Sequence, residues 1–214
     1  MQGSTLRLRR ERSAERLTSK GKDVLIIVDV QIDFCPGGAL PVADGDKVVP
    51  ALNRYIERFK TANMPIFATR DWHPEKTGHF KTFGGVWPPH CIQGTKGADF
   101  HAHLALPDGV VVISKGMAYE EDSYSGFQGT DVRGIKLAEL LRQCGAVRLF
   151  VGGLATDYCV KHTILDSIKE RFKAVLLEDA IRGVDIRPGD SERAIAEMIR
   201  AGAEKSSDLA RIPA

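Results

Sequence analysis

Five short apolar runs alternate along this 214-residue chain with stretches of helical period, and that alternation leaves few architectures open. Val24 to Val28 is an unbroken aliphatic run rich in β-branched residues, suited to a strand covered on both faces. Ile66 to Thr69, Val110 to Ile113, Val147 to Val151 and Ala174 to Leu177 repeat the pattern. Between and after them, Val48 to Phe59, Lys136 to Cys144, about Asp157 to Arg171, and Ser191 to Ala201 read as helices, the first and last with clear three- and four-residue apolar spacing. Strands that alternate with helices predict a single α/β domain, a parallel sheet with helices on both faces. Ligands of such sheets sit beyond the carboxyl ends of the strands, so the residues just after each apolar run matter most.

The remaining composition narrows the function. One sizeable core fits this length. The formal net charge of +2 gives no reason to expect nucleic-acid or membrane binding. No apolar stretch is long enough to span a bilayer and no secretory pattern opens the chain, so the expectation is a cytoplasmic protein, monomer or homo-oligomer. Residues 1–22 are Arg-, Lys-, Glu- and Ser-rich and read as a polar, flexible extension ahead of a domain over 23–214. The four cysteines (Cys35, Cys91, Cys144, Cys159) are scattered, which fits neither a zinc ribbon nor a disulfide framework.

Cys159 stands apart from the other three because of its position. The run Val147 to Val151 enters Gly152-Gly153, and a helical pattern begins at about Thr156 with Cys159 in its first turn. A thiol beside the positive end of a helix dipole is expected to have a lowered pKa and to serve as a nucleophile. It needs a proton acceptor and profits from a cation. Asp29, at the end of the first run, and Lys115, at the end of the third, fall at the same sheet edge. Each taken singly also reads as a loop-capping acid or a solvated lysine. His162, three residues after Cys159, is a rival base, but side chains at that spacing lie alongside each other and rarely aim at a common substrate.

Arg70 to Pro107 has no period and is rich in His, Gly, Pro and Trp, and an idle loop of that length is unusual in a compact domain. It carries Asp71, His73, His79 and His90, a donor set suited to one divalent ion, zinc first, with iron or manganese as alternatives. Each imidazole alone reads as a surface or hydrogen-bonded side chain; the set of four reads as a metal site. His101 and His103 lack a helping carboxylate and are read as surface residues.

Seven stretches in order give the chain a resemblance to a known family: Ile27 to Phe34, Asp71-Trp72-His73, Gly78-His79-Phe80, Trp87 to Cys91, Ile113 to Gly116, Tyr124 to Phe127, and Gly152 to Cys159. Together they resemble the nicotinamidases of the isochorismatase-like cysteine hydrolase superfamily. The resemblance covers about Asp23 to Asp185 and implies a Rossmann-like, isochorismatase-like fold. It implies a catalytic triad of Asp29, Lys115 and Cys159, metal ligation by Asp71, His73, His79 and His90, and a pyridine pocket of Phe34, Trp87, Tyr124, Leu154, Ala155 and Tyr158. The implied substrate is nicotinamide, with pyrazinamide as an analogue, hydrolysed through a thioester. A cis peptide at Leu154–Ala155 and an oxyanion site at the backbone N–H groups of Ala155 and Cys159 are part of the same implication.

Two departures concern substrate range. Tyr158 stands where many such enzymes have histidine, and Glu120, Glu121 and Asp122 make the loop after Lys115 acidic. Another small-amide or carbamoyl hydrolase of the superfamily is the alternative, and a metal or redox sensor a more distant one. A dinucleotide-binding oxidoreductase is not the expectation, since no GxGxxG follows any apolar run and no GxxxxGK(S/T) occurs.

Overall fold

The computed structural model describes residues 21–120 and 123–212. Six strands form one sheet: β1 (Lys22–Val28), β2 (Ile66–Asp71), β3 (Val111–Lys115), β4 (Ala146–Leu154), β5 (Lys173–Arg182) and β6 (Glu204–Ser206). All neighbours pair parallel, in the order β3-β2-β1-β4-β5-β6. Four α-helices connect them: α1 (Val48–Thr61), α2 (Leu137–Gln143), α3 (Lys161–Lys169) and α4 (Asp190–Arg200). The strand order reverses between β1 and β4, and the crevice at that switch point is where ligands of open parallel sheets bind.

β1 shows why the sheet needs cover on both sides. Val24 to Val28 are each fully buried. Leu25 and Ile27 pack with α1 residues such as Leu52, Tyr55 and Phe59. Val24, Ile26 and Val28 face the other way, with Leu137, Ile164 and Met198 from α2, α3 and α4. Pro50 falls in the first turn of α1, where its missing N–H breaks no helical bond.

The two glycines of β4 admit close packing. A Cβ on Gly153, at φ +128, would lie 2.0 Å from the Val28 carbonyl oxygen. Only glycine fits there, which brings β4 tight against β1 just before the Cys159 turn.

The extension expected over 1–22 lies outside the described residues up to residue 20, and Lys22 already opens β1. β6, three residues reading Glu-Lys-Ser, has no apolar run to announce it. Of the acidic positions after Lys115, 121 and 122 lie outside the described residues. Among the described residues no helix is long and apolar enough to cross a membrane.

Candidate active site

The strand ends gather the charged groups. Asp29 follows β1 directly, with φ 48, and its N–H donates to the Thr69 carbonyl of β2 at 3.2 Å. The Thr69 hydroxyl donates to Asp29 Oδ1 at 2.6 Å. Asp71 ends β2, Lys115 ends β3, and the strand register sets them side by side. Lys115 Nζ lies 2.9 Å from Asp29 Oδ2 and donates to Asp71 Oδ1 and, at 3.1 Å, to the Ser123 carbonyl. The Cys159 Sγ is 3.4 Å away. An ammonium has three protons to share among these four acceptors, and the thiol contact is the longest of them.

Cys159 sits in a single π-helical turn, Thr156–Val160, that precedes α3. The first turn is thus wider than the α-turn expected. The Leu154–Ala155 peptide is cis. The Ala155 carbonyl accepts from Tyr158 and Val160 N–H, at 3.1 Å each.

Electrostatics correct one expectation. Burial pushes the Cys159 thiol well above its ordinary value, Asp29 and Asp71 add to that, and Lys115 opposes it only in part. A helix terminus does not outweigh two carboxylates in a dry site. Cys159 therefore rests as the protonated thiol. Burial also raises Asp29, against the pull of Lys115, which suits it to accept a proton. Asp71 behaves oppositely: burial is outweighed by Lys115 and His73, and its carboxyl is held far below the usual range. The same two carboxylates overcome burial and raise Lys115 well above a normal lysine, so it stays charged.

The other oxygen of Asp71 faces the histidines. Asp71 Oδ2 lies 3.8 Å from His73 Nε2 and 3.9 Å from His90 Nε2. One donor atom each from His73, His79 and His90 falls within 4.8 Å of the others. His73 Nδ1 donates to the Gly116 carbonyl at 3.0 Å, and His90 Nδ1 donates to Pro88 O at 2.7 Å. Carbonyls only accept, so both rings carry their proton on Nδ1 and present a bare Nε2 to the centre. Burial lowers His90 to about 4, which keeps that nitrogen unprotonated at neutral pH. His73 Nε2 is a buried acceptor without a hydrogen-bond partner. A divalent ion fits the three imidazoles, with an orphaned buried lone pair aimed inward and the anionic Asp71 Oδ2 beside two of them.

A narrow cleft runs from this centre to the thiol. Phe34, Trp87, Tyr124, Ala155 and Tyr158 line it together with Asp71, His79, His90 and Cys159. Leu154 does not: it is fully buried and packs in the core on the α1 side. Ala155 packs in the same cluster but keeps an edge on the cleft, at 8% exposure. The sequence reading missed Leu40, Val42, Ser123 and Val184, which complete the walls. His162 stacks on Tyr124 at 5.4 Å and is not part of the cleft lining. His101 and His103 pack edge-to-face on each other in the loop before β3, away from the metal-type cluster.

The profile of the isochorismatase domain matches residues 23–207. The chain belongs to the isochorismatase family. It is 40% identical over 195 residues to the nicotinamidase of Escherichia coli (strain K12), covering 84% of this chain and 92% of that one. Among solved structures it resembles the pyrazinamidase of Pyrococcus horikoshii in complex with zinc, with TM-score 0.80 and 47% identity over 86% of this chain and 98% of the other. PnC1 from L. infantum in complex with nicotinate gives TM-score 0.78 and 41% identity, covering 88% and 93%.

Further polar side chains hold this isochorismatase-family site in register. Gln31 accepts from Asp71 N–H at 2.8 Å and donates to the Asp71 and Ala98 carbonyls at 2.8 and 2.9 Å, fixing the backbone of the shared carboxylate. Asp33 accepts from Cys91 N–H at 2.7 Å, just after His90. Asp157 accepts from Val184 and Asp185 N–H at 2.9 Å each, tying the Cys159 turn to the wall at Val184. The signal that could have found Gln31 and Thr69 is a polar residue at or beside a fully buried strand end, which must be paired to be tolerated.

Proposed function

We propose that this protein is a nicotinamidase, hydrolysing nicotinamide to nicotinate and ammonia, with pyrazinamide as a second carboxamide of the same shape. The observation that carries the reading is Lys115, fully buried and shared by Asp29, Asp71 and the Cys159 thiol at the inner end of a cleft with aromatic walls. The relatives that are nicotinamidases and a pyrazinamidase support it.

In this reading Asp29 takes the proton of Cys159 as substrate arrives, and Lys115 holds the sulfur anion by charge. The sulfur attacks the carboxamide carbon, and the oxygen gains the negative charge. The backbone N–H groups of Ala155 and Cys159 receive it. Asp29 then returns its proton to the departing nitrogen, the C–N bond breaks and ammonia leaves a thioester on Cys159. Water, deprotonated by Asp29, opens the thioester to nicotinate and restores the thiol. Phe34, Trp87, Tyr124 and Tyr158 hold the ring, which lowers the entropy cost of attack. Asp71, His73, His79 and His90 would hold the divalent ion, zinc by preference, which would supply Lewis-acid binding of the pyridine nitrogen. We place the hydrolase domain at 23–214 and the enzyme in the cytoplasm.

The test is ammonia release from nicotinamide by purified protein, before and after chelation and with metal restored. Release that chelation removes and metal restores supports both halves of the site. Release that survives in demonstrably metal-free protein removes the ion from the reading. No release from folded, metal-loaded protein overturns the substrate.

A further inference from the structure

The catalytic cleft shares part of its wall with a second chamber of about 390 Å³, open to solvent on the α4 side, and the residues common to both are Tyr124 and Tyr158. The far side of that chamber is polar, with Lys161, His162 and the α4 residues Arg193 and Glu197. Each charge is held: Lys161 lies 3.7 Å from Glu197, Arg193 lies 2.6 Å from Asp190, and Asp157, also in the lining, accepts from the Val184 and Asp185 N–H groups. Such a compartment suits a polar substituent better than an isolated charge.

The two tyrosines are held differently. Tyr124 accepts from Trp87 Nε1 at 2.9 Å and stacks on His162. Tyr158 is held by ring contacts, edge-on to Trp87 at 5.0 Å and tilted on Tyr124 at 5.7 Å. It is also the residue beside the nucleophile, and it remains half-buried. Removing its ring leaves the Trp87–Tyr124 bond in place.

We propose that the Tyr158 ring is the partition that sets the size limit of the substrate, and that the chamber behind it takes polar ring substituents of larger aromatic carboxamides. The proposal rests on the carboxamidase reading of the cleft. Excluding one or two extra heavy atoms in this way is worth about 10- to 200-fold in kcat/KM.

The test compares wild type, Tyr158→Ala, Tyr158→Leu and Tyr158→Phe on nicotinamide and on nicotinamides bearing methyl or hydroxymethyl at each open ring carbon. The kcat/KM ratio of the best substituted amide to nicotinamide rises at least about tenfold in the Ala variant and less in the Leu variant. It stays within about twofold in the Phe variant, which keeps the ring. A second readout needs no turnover: the rate of Cys159 alkylation by a bulky N-aryl iodoacetamide relative to iodoacetamide, located by mass spectrometry. Thiolate content affects both reagents alike and cancels in the ratio, which rises in the Ala variant if the ring is the partition. Unchanged ratios in folded Ala and Leu variants overturn the proposal. If wild type does not hydrolyse nicotinamide yet the alkylation ratio rises, the substrate reading fails and the partition stands.

Discussion

Replacing Lys115 by methionine removes the one cation between Asp29 and Asp71 while filling nearly the same volume. Oxygens of those two carboxylates lie within 4.8 Å of each other. Two unit charges at that distance and an effective dielectric of about 20 repel by roughly 3.5 kcal/mol. Removing one partner of a buried ion pair typically costs about 3–5 kcal/mol, which agrees. For a domain of this size that is a fall in Tm of roughly 6–20 °C. The penalty should depend on pH with a definite sign. In the variant the repulsion raises one carboxyl above its unfolded value, so native protein holds a proton that the unfolded chain has lost. Stability then falls as pH rises through that raised value, by about 1.4 kcal/mol for each pH unit of difference. The assay is urea unfolding of chelator-treated wild type and Lys115→Met at pH 5 and pH 8. The variant should lose roughly 2 kcal/mol more, relative to wild type, at pH 8 than at pH 5. A loss below about 1 kcal/mol, or one no larger at pH 8, would refute the charge cluster as described.

Cys159→Ala should abolish ammonia release while leaving Tm and bound metal near wild type; surviving turnover would remove the nucleophile assignment. His90→Ala should strip most metal, seen by elemental analysis, and raise KM more than it lowers kcat; unchanged metal content would break the ligand set. In metal-free wild type, His90 is lowered to about 4 from an unfolded value near 6.5 by burial, so stability is full above pH 6.5 and is lost as pH falls towards 4. His90→Gln should flatten that limb by roughly 3 kcal/mol in urea titrations, and an unchanged slope would contradict it. Phe59, fully buried and edge-on to Phe150 at 5.6 Å, should cost about 3–5 kcal/mol on truncation to alanine, with Tm moving and KM staying put.

The sheet was legible because β1 to β5 each contain an apolar run, and parallel strands buried on both faces need one. Asp29, Asp71 and Lys115 were legible as candidates for the same reason, since each closes an apolar run at the edge where ligands of parallel sheets bind. Period and order place a residue; they do not say which oxygen of a carboxylate meets which partner. That is why Asp71 reads from sequence as a metal ligand alone, when register also puts it beside Lys115. Leu154 and Ala155 share one role in the motif for a similar reason: a motif records neighbours in sequence, and burial decides which of them reaches the cleft. The thiol's electrostatics were hidden more deeply, since they depend on two carboxylates brought in from distant strands. Asp71 joins what looked like two sites, with one oxygen on Lys115 and the other toward His73 and His90. A cation at the histidines would draw charge from Asp71, which competes with Asp29 for Lys115. Loading the metal site should therefore leave more of the Lys115 charge for the sulfur, so that metal and thiol would act as one electrostatic unit.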